Sequence, residues 1–302
     1  MQKAVLFGPF VGEMFWEYGR FASHFIWKRK VQYKDKPDIK FIVFTRPDRF
    51  DMYGKYANIL VPLKISGDFE KYKGDCYRLI NFPFQKYQDL CYIFQEKYKE
   101  KYKIVEHVYP NLKGKNFAKK NQYPLNQMVF NDFRPRKDNK LIVDKTIPDD
   151  KPLVVLAPRY RGDFRRNWPY WDKLYKLISK NNIMNNYNFV ICGKAPEYIP
   201  DDHNRFFDIN HFETTENTSL IGFTIECMKR AHLTIGSQSA IPNISLLHRV
   251  PVLEWGHQKT LHTKTYNIFN TKVKFLEDPK YKIDPEEVFD NILKILKQKE
   301  GE

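Results

Sequence analysis

The sequence predicts an α/β protein of two domains, each built on a parallel β-sheet. Apolar runs of strand length alternate along the chain with segments in which apolar residues recur at helical spacing, a pattern typical of parallel sheets. A chain of 302 residues is long enough for two domains that each bury a core. A polar segment at 131–151, with two prolines and two charge clusters, predicts the boundary and gives domains 1–145 and 146–302.

The composition excludes several classes of protein. An apolar fraction of 42% with 16% aromatic residues indicates a globular chain and not a disordered one. No window approaches the roughly 18 uninterrupted apolar residues of a membrane span, and the N-terminus lacks the pattern of a signal peptide. We therefore expect a cytoplasmic location, in a bacterium or a phage-infected host. The four cysteines have neither metal-binding nor redox spacing, which favours reduced thiols.

The net charge of +15 is unevenly distributed. Residues 1–150 hold 29 Lys+Arg against 18 Asp+Glu, a balance of +11, whereas residues 151–302 hold 22 against 18, a balance of +4. A basic surface raises the local concentration of acidic partners. The first domain is therefore expected to meet nucleic acid, a phosphorylated glycolipid or an anionic membrane surface.

The start of the first domain carries a candidate catalytic carboxylate. An apolar strand at Lys3–Phe7 runs into a turn that contains Phe10 and Gly12-Glu13, and aromatic residues at helical spacing follow. Glu13 at this helix opening is a candidate general base, because the helix N-terminus favours its charged form. Its alternative role is that of an ordinary first-turn helix residue. Phe10, Gly12 and Arg46, which follows a second strand, are the predicted acceptor contacts.

The segment Phe69–Lys103 is dense in tyrosine and lysine. Interleaved aromatic and cationic side chains can stack bases and neutralise phosphates. The same pattern is typical of a helix that buries its aromatic residues and covers the edge with lysine stems. The two alternatives make different predictions for one helical face, which would be exposed in the first and buried in the second. This face consists of Tyr87, Leu90, Cys91, Phe94 and Tyr98.

The second domain opens with a buried strand, an arginine-rich loop and a helix. Leu153–Ala157 is followed by Arg159, Arg161, Arg165 and Arg166, and then by an amphipathic helix. Ligands of open α/β sheets bind at the carboxyl ends of strands, and guanidinium groups bind phosphate oxygens bidentately. A nucleotide diphosphate is therefore the predicted ligand, with a solvated basic loop as the alternative.

Later turns of the second domain supply further candidate ligand contacts. One strand ends at Gly193-Lys194, and another runs into Gly236-Ser237-Gln238-Ser239 ahead of a short helix. Small hydroxyl residues and backbone N–H groups at a helix start form an anion site. Residues 284–287 resemble a capping box that opens a C-terminal helix, and Leu141-Ile142-Val143 suggests a short strand near the domain boundary.

Together, these motifs resemble the heptosyltransferase-like glycosyltransferases of the double-Rossmann (GT-B) type. Gly12-Glu13 is similar to the family's Gly-acid pair, Arg159 to Pro169 to its basic loop with a Trp-Pro helix start, and Gly236 to Leu253 to its donor-phosphate turn. The resemblance implies two Rossmann-like domains that face a cleft, with the C-terminal helix packing back. Glu13 stands where Asp is usual, Gln238 replaces a small residue, and the Tyr/Lys-rich region has no counterpart.

The resemblance implies a metal-independent transferase that uses a nucleotide sugar as co-substrate and no other cofactor. The chain contains no Asp-x-Asp pair, and Asp201-Asp202-His203 reads as structural. Glu13 would be the base, while Arg159, Arg161, Arg166 and the turns at Gly193-Lys194 and Gly236 to Ser239 would bind the donor. The expected acceptor is acidic, and a hydroxymethylated base in double-stranded DNA is slightly favoured. The alternatives are lipopolysaccharide or another surface glycan, and a nucleic-acid-binding protein without catalysis.

Overall fold

The computed structural model divides the chain into two compact units, Met1–Arg136 and Lys137–Glu302. The division falls earlier than the predicted boundary at 145/146. Within the part of the chain that the structure describes, no helix is both long and apolar enough to cross a membrane. The described residues are 1–11, 14–63, 84–110, 123–130, 132–160, 167–193, 205–257 and 267–300.

Unit 1 (Met1–Arg136) contains a four-stranded sheet in the order β3-β2-β1-β4, with every pair of neighbours parallel. The strand β4 was not predicted, because its alternation of exposed and half-buried residues continues the surrounding charged pattern. The strands are β1 (Gln2–Phe7), β2 (Lys40–Thr45), β3 (Ile59–Pro62) and β4 (Tyr102–Val108).

A continuous helix over residues 14–32 follows β1. Its predicted apolar face is confirmed, since all five of its residues are buried: Phe15, Tyr18, Phe21, Ala22 and Phe25. Two π-helical segments interrupt the α-helical hydrogen bonding, a feature that apolar spacing does not reveal. The segments are Met14–Trp16 and Ser23–Trp27, which are α-helical, and Glu17–Ala22 and Lys28–Gln32, which are π-helical.

The helix Phe84–Lys99 uses its aromatic face for packing. Tyr87, Phe94 and Tyr98 are all buried, and Phe94 packs with β1 and β2 residues in the core of unit 1. The proposed stacking of bases by this face is therefore wrong, because its rings are covered by the sheet. The preceding part of the Tyr/Lys-rich segment lies outside the described residues.

Unit 2 (Lys137–Glu302) contains a six-stranded parallel sheet in the order β7-β6-β5-β8-β9-β10. Counted from its first strand, this is the order 3-2-1-4-5-6 of a Rossmann sheet, and the strand order reverses between β5 and β8. The strands are β5 (Leu153–Ala157), β6 (Asn188–Ile191), β7 (Phe206–Asp208), β8 (Ala231–Ser237), β9 (Val252–Gly256) and β10 (Val273–Glu277).

The helices of unit 2 correct one prediction. Leu141-Ile142-Val143 lies within a helix and not in a strand, and only Val143 of the three is buried. A three-residue apolar run does not distinguish the two, and here the helix continues through charged residues on both sides. The helices are Lys137–Thr146, Trp171–Lys180, Leu220–Arg230, Ala240–Leu247 and Pro285–Glu300.

The C-terminal helix packs back within unit 2, as predicted. Pro285–Glu300 shares a core with the helix Trp171–Lys180, and that core includes three tryptophans. The indole N–H of Trp168 donates to the carbonyl of Ile283 at 2.9 Å. This bond ties the start of the helix Trp171–Lys180 to the segment that leads into the last helix. The three tryptophans are Trp168, Trp171 and Trp255.

The carboxyl ends of β5 and β8 approach so closely that only glycine fits at position 236. A Cβ on Gly236 would lie 2.8 Å from the Ala157 carbonyl oxygen and 2.9 Å from its Cβ. Gly236→Ala is therefore expected to destabilise unit 2 by about 1–3 kcal/mol. The Tm should fall by about 2–4 °C per kcal/mol lost. Ala157→Gly should recover part of this loss in the Gly236→Ala background, and an unchanged Tm would contradict the proposed clash.

Candidate functional site

The point at which the strand order of unit 2 reverses brings two predicted ligand-binding turns together. Arg159 lies two residues after the end of β5 and is half-buried, while Ser237 ends the neighbouring strand β8. The register pairs Ala157 with Gly236, so both turns leave the same edge of the sheet. In open α/β sheets this crevice is where ligands bind. Arg161 and Arg166 lie outside the described residues.

Gln238 is fixed within the fold of unit 2. Its Oε1 accepts from the Tyr281 hydroxyl at 2.7 Å, and its backbone N–H donates to the Trp255 carbonyl at 3.1 Å. The side chain also covers Gly256, where a Cβ would lie 2.5 Å from Gln238 Cδ. The unusual residue at this turn therefore has a packing role in addition to any contact with a ligand.

Ser239 stands at the N-cap of the helix Ala240–Leu247, as predicted, but its hydroxyl makes no capping hydrogen bond. Its carbonyl accepts instead from the Asn243 side-chain amide at 2.9 Å. A helix start without a side-chain cap leaves its N–H groups directed outward, which is the arrangement of an anion site. Ser237 is fully buried beneath this turn.

The third predicted turn follows β6. Gly193 comes two residues after the end of this strand, and its carbonyl accepts from Asn210 Nδ2 at 2.9 Å. A Cβ on Gly193 would lie 2.5 Å from the carbonyl oxygen of Pro158, the residue just before Arg159. The Gly193 turn is therefore adjacent to the arginine-rich loop. Lys194 lies outside the described residues.

The strand order of unit 1 reverses between β1 and β4, and the turn after β1 is held there by two side chains. Neutral His107 donates through Nε2 to the Gly8 carbonyl at 2.8 Å, and the Tyr87 hydroxyl donates to the Pro9 carbonyl at 2.9 Å. Burial lowers the pKa of His107, which favours this neutral donor. Gly8 has φ +96°, and a Cβ there would lie 2.1 Å from the Phe44 carbonyl oxygen.

These contacts fix the direction in which the chain leaves the sheet towards Gly12 and Glu13. Both of those residues lie outside the described part, while the helix begins immediately after them at Met14. Phe10 is only 3% exposed and packs on Phe21 with ring centroids 5.3 Å apart. We therefore replace its predicted acceptor contact with a role in the core.

Glu17 is a buried carboxyl that the sequence did not single out. It is 1% exposed, and its Oε1 accepts from the Thr45 hydroxyl at 2.5 Å and the Tyr53 hydroxyl at 2.7 Å. Burial raises the pKa of Glu17 above its ordinary 4.5, although Arg49, the two hydroxyls and Arg46 oppose the shift. The apolar residues around Glu17 in the sequence predict a packed helix face. They do not predict that a polar residue between them is also buried.

The raised pKa of Glu17 predicts how stability depends on pH. The folded state binds this proton more tightly than the unfolded state, so the free energy of unfolding falls as pH rises from about 4.5 through the raised pKa. Glu17→Gln keeps the acceptor oxygen and removes the ionisation. The Tm of Glu17→Gln relative to the parent protein should therefore increase with pH above 4.5. The exposed Glu100→Gln is the control, and a difference that stays flat or decreases would contradict the assignment.

Two arginines at the carboxyl end of β2 converge on one carboxylate. Arg46 contacts Asp48 through Nε at 3.1 Å and Nη2 at 2.9 Å, and Arg49 Nε lies 3.4 Å from Asp48 Oδ2. Burial and the neighbouring Arg46 lower the pKa of Arg49. The predicted acceptor contact at Arg46 is thus part of a larger cationic cluster that includes Arg49.

The described residues contain no group of three or more His, Cys, Asp or Glu side chains that could hold a metal ion. Asp201-Asp202-His203 lies outside them. Cys91, Cys192 and Cys227 are buried and free.

Solved structures with a similar fold extend over nearly the whole chain. A glycosyl transferase family 9 protein from Veillonella parvula matches with a TM-score of 0.57 at 12% identity, over 98% of this chain and 97% of its own. The ADP-heptose lps heptosyltransferase II of E. coli matches with a TM-score of 0.56 at 14% identity, over 99% of both chains. The chain has the GT-B fold of heptosyltransferase-like proteins.

A third structure agrees with this assignment of the fold. The E. coli heptosyltransferase WaaC with ADP matches with a TM-score of 0.51 at 10% identity, over 97% of this chain and 99% of its own. No family model and no curated protein matches the sequence. At these identities the likeness shows the fold alone.

Proposed function

We propose that the protein is a GT-B glycosyltransferase that moves a sugar from a nucleotide sugar to a hydroxyl of an acidic glycan. The observation that carries the proposal is the meeting of the Arg159 turn and the Ser237 to Ser239 turn where the strand order of unit 2 reverses. A half-buried guanidinium group beside an uncapped helix start suits the diphosphate of such a donor.

In the proposed reaction Glu13 removes the proton of the acceptor hydroxyl. The acceptor oxygen forms a bond to the anomeric carbon, and the bond between that carbon and the diphosphate oxygen breaks with its electron pair on the diphosphate. Arg159, with Arg161, Arg166 and Lys194, would stabilise the growing negative charge. Contacts from Gly193 and from Gly236 to Ser239 would orient the donor. The reaction needs no metal ion in this scheme, because cations and N–H groups take that role.

For the acceptor we propose a phosphorylated or otherwise acidic surface glycan of the lipopolysaccharide type. The charge of +11 on residues 1–150, the difference between 29 Lys+Arg and 18 Asp+Glu, suits any acidic acceptor, including DNA. Two further observations support the glycan. The aromatic face of Phe84–Lys99 is buried and does not offer rings for base stacking. Among proteins of similar fold, one is an lps heptosyltransferase.

Release of the donor's nucleotide, a diphosphate from UDP-, GDP- or ADP-sugars and a monophosphate from CMP-sugars, tests this function. The full chain is incubated with UDP-, GDP-, ADP- and CMP-sugars, without metal, and with lipopolysaccharide core, hydroxymethylated duplex DNA or no acceptor. We expect release from one donor with the glycan alone. Release with DNA alone would overturn the acceptor, while salt-sensitive DNA binding without any release would indicate a nucleic-acid-binding protein and overturn the enzyme.

A further inference from the structure

The arginine pair after β2 contains N–H groups that have no hydrogen-bond partner among the surrounding described residues. Arg46 and Arg49 are 5% and 7% exposed, so both guanidinium groups are largely removed from water. Among the described residues, Arg46 Nη1 and Arg49 Nε have no hydrogen-bond partner. A buried polar group without a partner costs about 1–3 kcal/mol, and more when it is charged. Buried polar groups in folded proteins almost always have partners, so these two require an explanation.

The carboxylate that both arginines contact is far more exposed than the arginines themselves. The Asp48 side chain is 58% exposed, and it lies on the solvent side of the two buried guanidinium groups. Water competes with the buried arginines for this exposed carboxylate, which weakens its hold in the pair. Asp48 therefore holds the position of an anion while being easy to displace.

The other carboxyl near the pair has partners of its own. Glu17 accepts from the hydroxyls of Thr45 and Tyr53, and burial raises its pKa. By contrast, Arg136 in the same unit pairs bidentately with buried Asp51, through Nε at 2.9 Å and Nη2 at 3.1 Å. Arg46 also pairs bidentately, but its partner Asp48 is 58% exposed whereas Asp51 is fully buried, and Arg49 reaches Asp48 only at 3.4 Å.

We propose that Arg46 and Arg49 form an anion site that binds a phosphate or carboxylate group of the acceptor, with Asp48 as its internal competitor. The site lies at the carboxyl end of β2, the edge of the sheet at which the turn towards Glu13 also leaves. Two guanidinium groups that converge on one point suit a phosphate, whose oxygens accept several charge-assisted hydrogen bonds. The inference rests on the proposed function for the identity of the ligand as an acceptor.

Calorimetric titration of the full chain with glucose 6-phosphate, glucuronate and glucose tests the site. Asp48→Asn should tighten binding of an anionic sugar about two- to fivefold, since a competing carboxylate is removed. Asp35→Asn removes the same charge from an exposed side chain of the same unit and should not change the affinity. Arg46→Gln or Arg49→Gln should weaken binding about tenfold or more, whereas Arg134→Ala, at an exposed ion pair, should not.

The two anionic sugars decide which group the site prefers, and either one binding better than glucose supports it. A site of purely structural arginines would gain nothing from Asp48→Asn, so an unchanged affinity in that variant overturns the proposal. Equal binding of glucose, or an equal gain in Asp35→Asn, would do the same. Asp48 is exposed, so its replacement should not prevent folding. The Asp48→Asn variant therefore tests the site even if an arginine variant fails to fold.

The test is separate from the test of the proposed function. Repeating the titrations in Arg159→Ala, which alters unit 2 alone, should leave the effect of Asp48→Asn in place. Sugar transfer without this effect would remove the anion site and keep the transferase. Anion binding with the expected dependence but no nucleotide-sugar turnover would keep the site and remove the proposed function.

Discussion

Replacement of Glu13 by glutamine is expected to abolish sugar transfer while nucleotide-sugar binding is retained. A positioned general base contributes about 10²- to 10⁴-fold to the rate, and glutamine keeps the shape of the side chain without accepting the proton. Where the strand order reverses, His107 and Tyr87 hold the turn after β1, from which the chain continues towards Glu13. Turnover of the nucleotide sugar and its equilibrium binding are the two measurements.

Glu17 provides the matched control for this prediction. It lies on the helix that begins at Met14, four positions after Glu13 in the sequence, and it is 1% exposed. Burial behind Thr45 and Tyr53 keeps it from a substrate, so Glu17→Gln should retain most of the activity. Full activity in Glu13→Gln, together with loss in Glu17→Gln, would transfer the role of base to Glu17 and contradict the proposed mechanism.

Arg159→Ala is expected to lower the rate of transfer by about 10²- to 10³-fold, the usual effect of removing one preorganised contact to developing charge. Its position explains the size of the effect. Arg159 is half-buried two residues after the end of β5, beside the strand end at Gly236, so an interaction with a diphosphate there would be shielded from water.

Lys173→Ala removes a cation from the same unit and serves as the control. Lys173 lies on the helix Trp171–Lys180, where its ammonium group is 5.2 Å from the centre of the Tyr170 ring. We expect its activity to stay close to that of the parent protein. Equal activity in Arg159→Ala and Lys173→Ala would show that the arginine-rich loop is solvated and has no role in the reaction.

Much of the sheet architecture could be predicted from apolar runs. β5 is buried along its whole length, and its continuous apolar sequence distinguishes it from the flanking loops. β8 is buried from Leu233 to Ser237, with an apolar run that Thr234 interrupts. β4 lacks such a run, because its alternate residues are exposed at the edge of the unit 1 sheet. The strand suggested at residues 141–143 failed for the opposite reason, since a short apolar run also fits a half-buried helix.

The candidate sites were predictable only where a motif lies in one stretch of sequence. Arg159 and Ser239 each follow an apolar strand, so the rule for carboxyl ends of parallel strands finds them. The Arg46 and Arg49 pair depends on burial and on the placement of Asp48 outside it, which composition does not show. Likewise, Gln238 and Tyr281 are far apart in sequence, and only the fold brings their side chains into contact.

Binding of a nucleotide sugar tests the central claim most directly. A ligand that binds the folded state raises the apparent Tm by mass action, so the full chain is heated with each of UDP-, GDP-, ADP- and CMP-sugars without metal. We predict that one nucleotide raises the Tm and that Arg159→Ala loses this increase while Lys173→Ala keeps it. An unchanged Tm with every nucleotide sugar, or an increase that persists in Arg159→Ala, would contradict the assignment of unit 2 as the donor-binding domain.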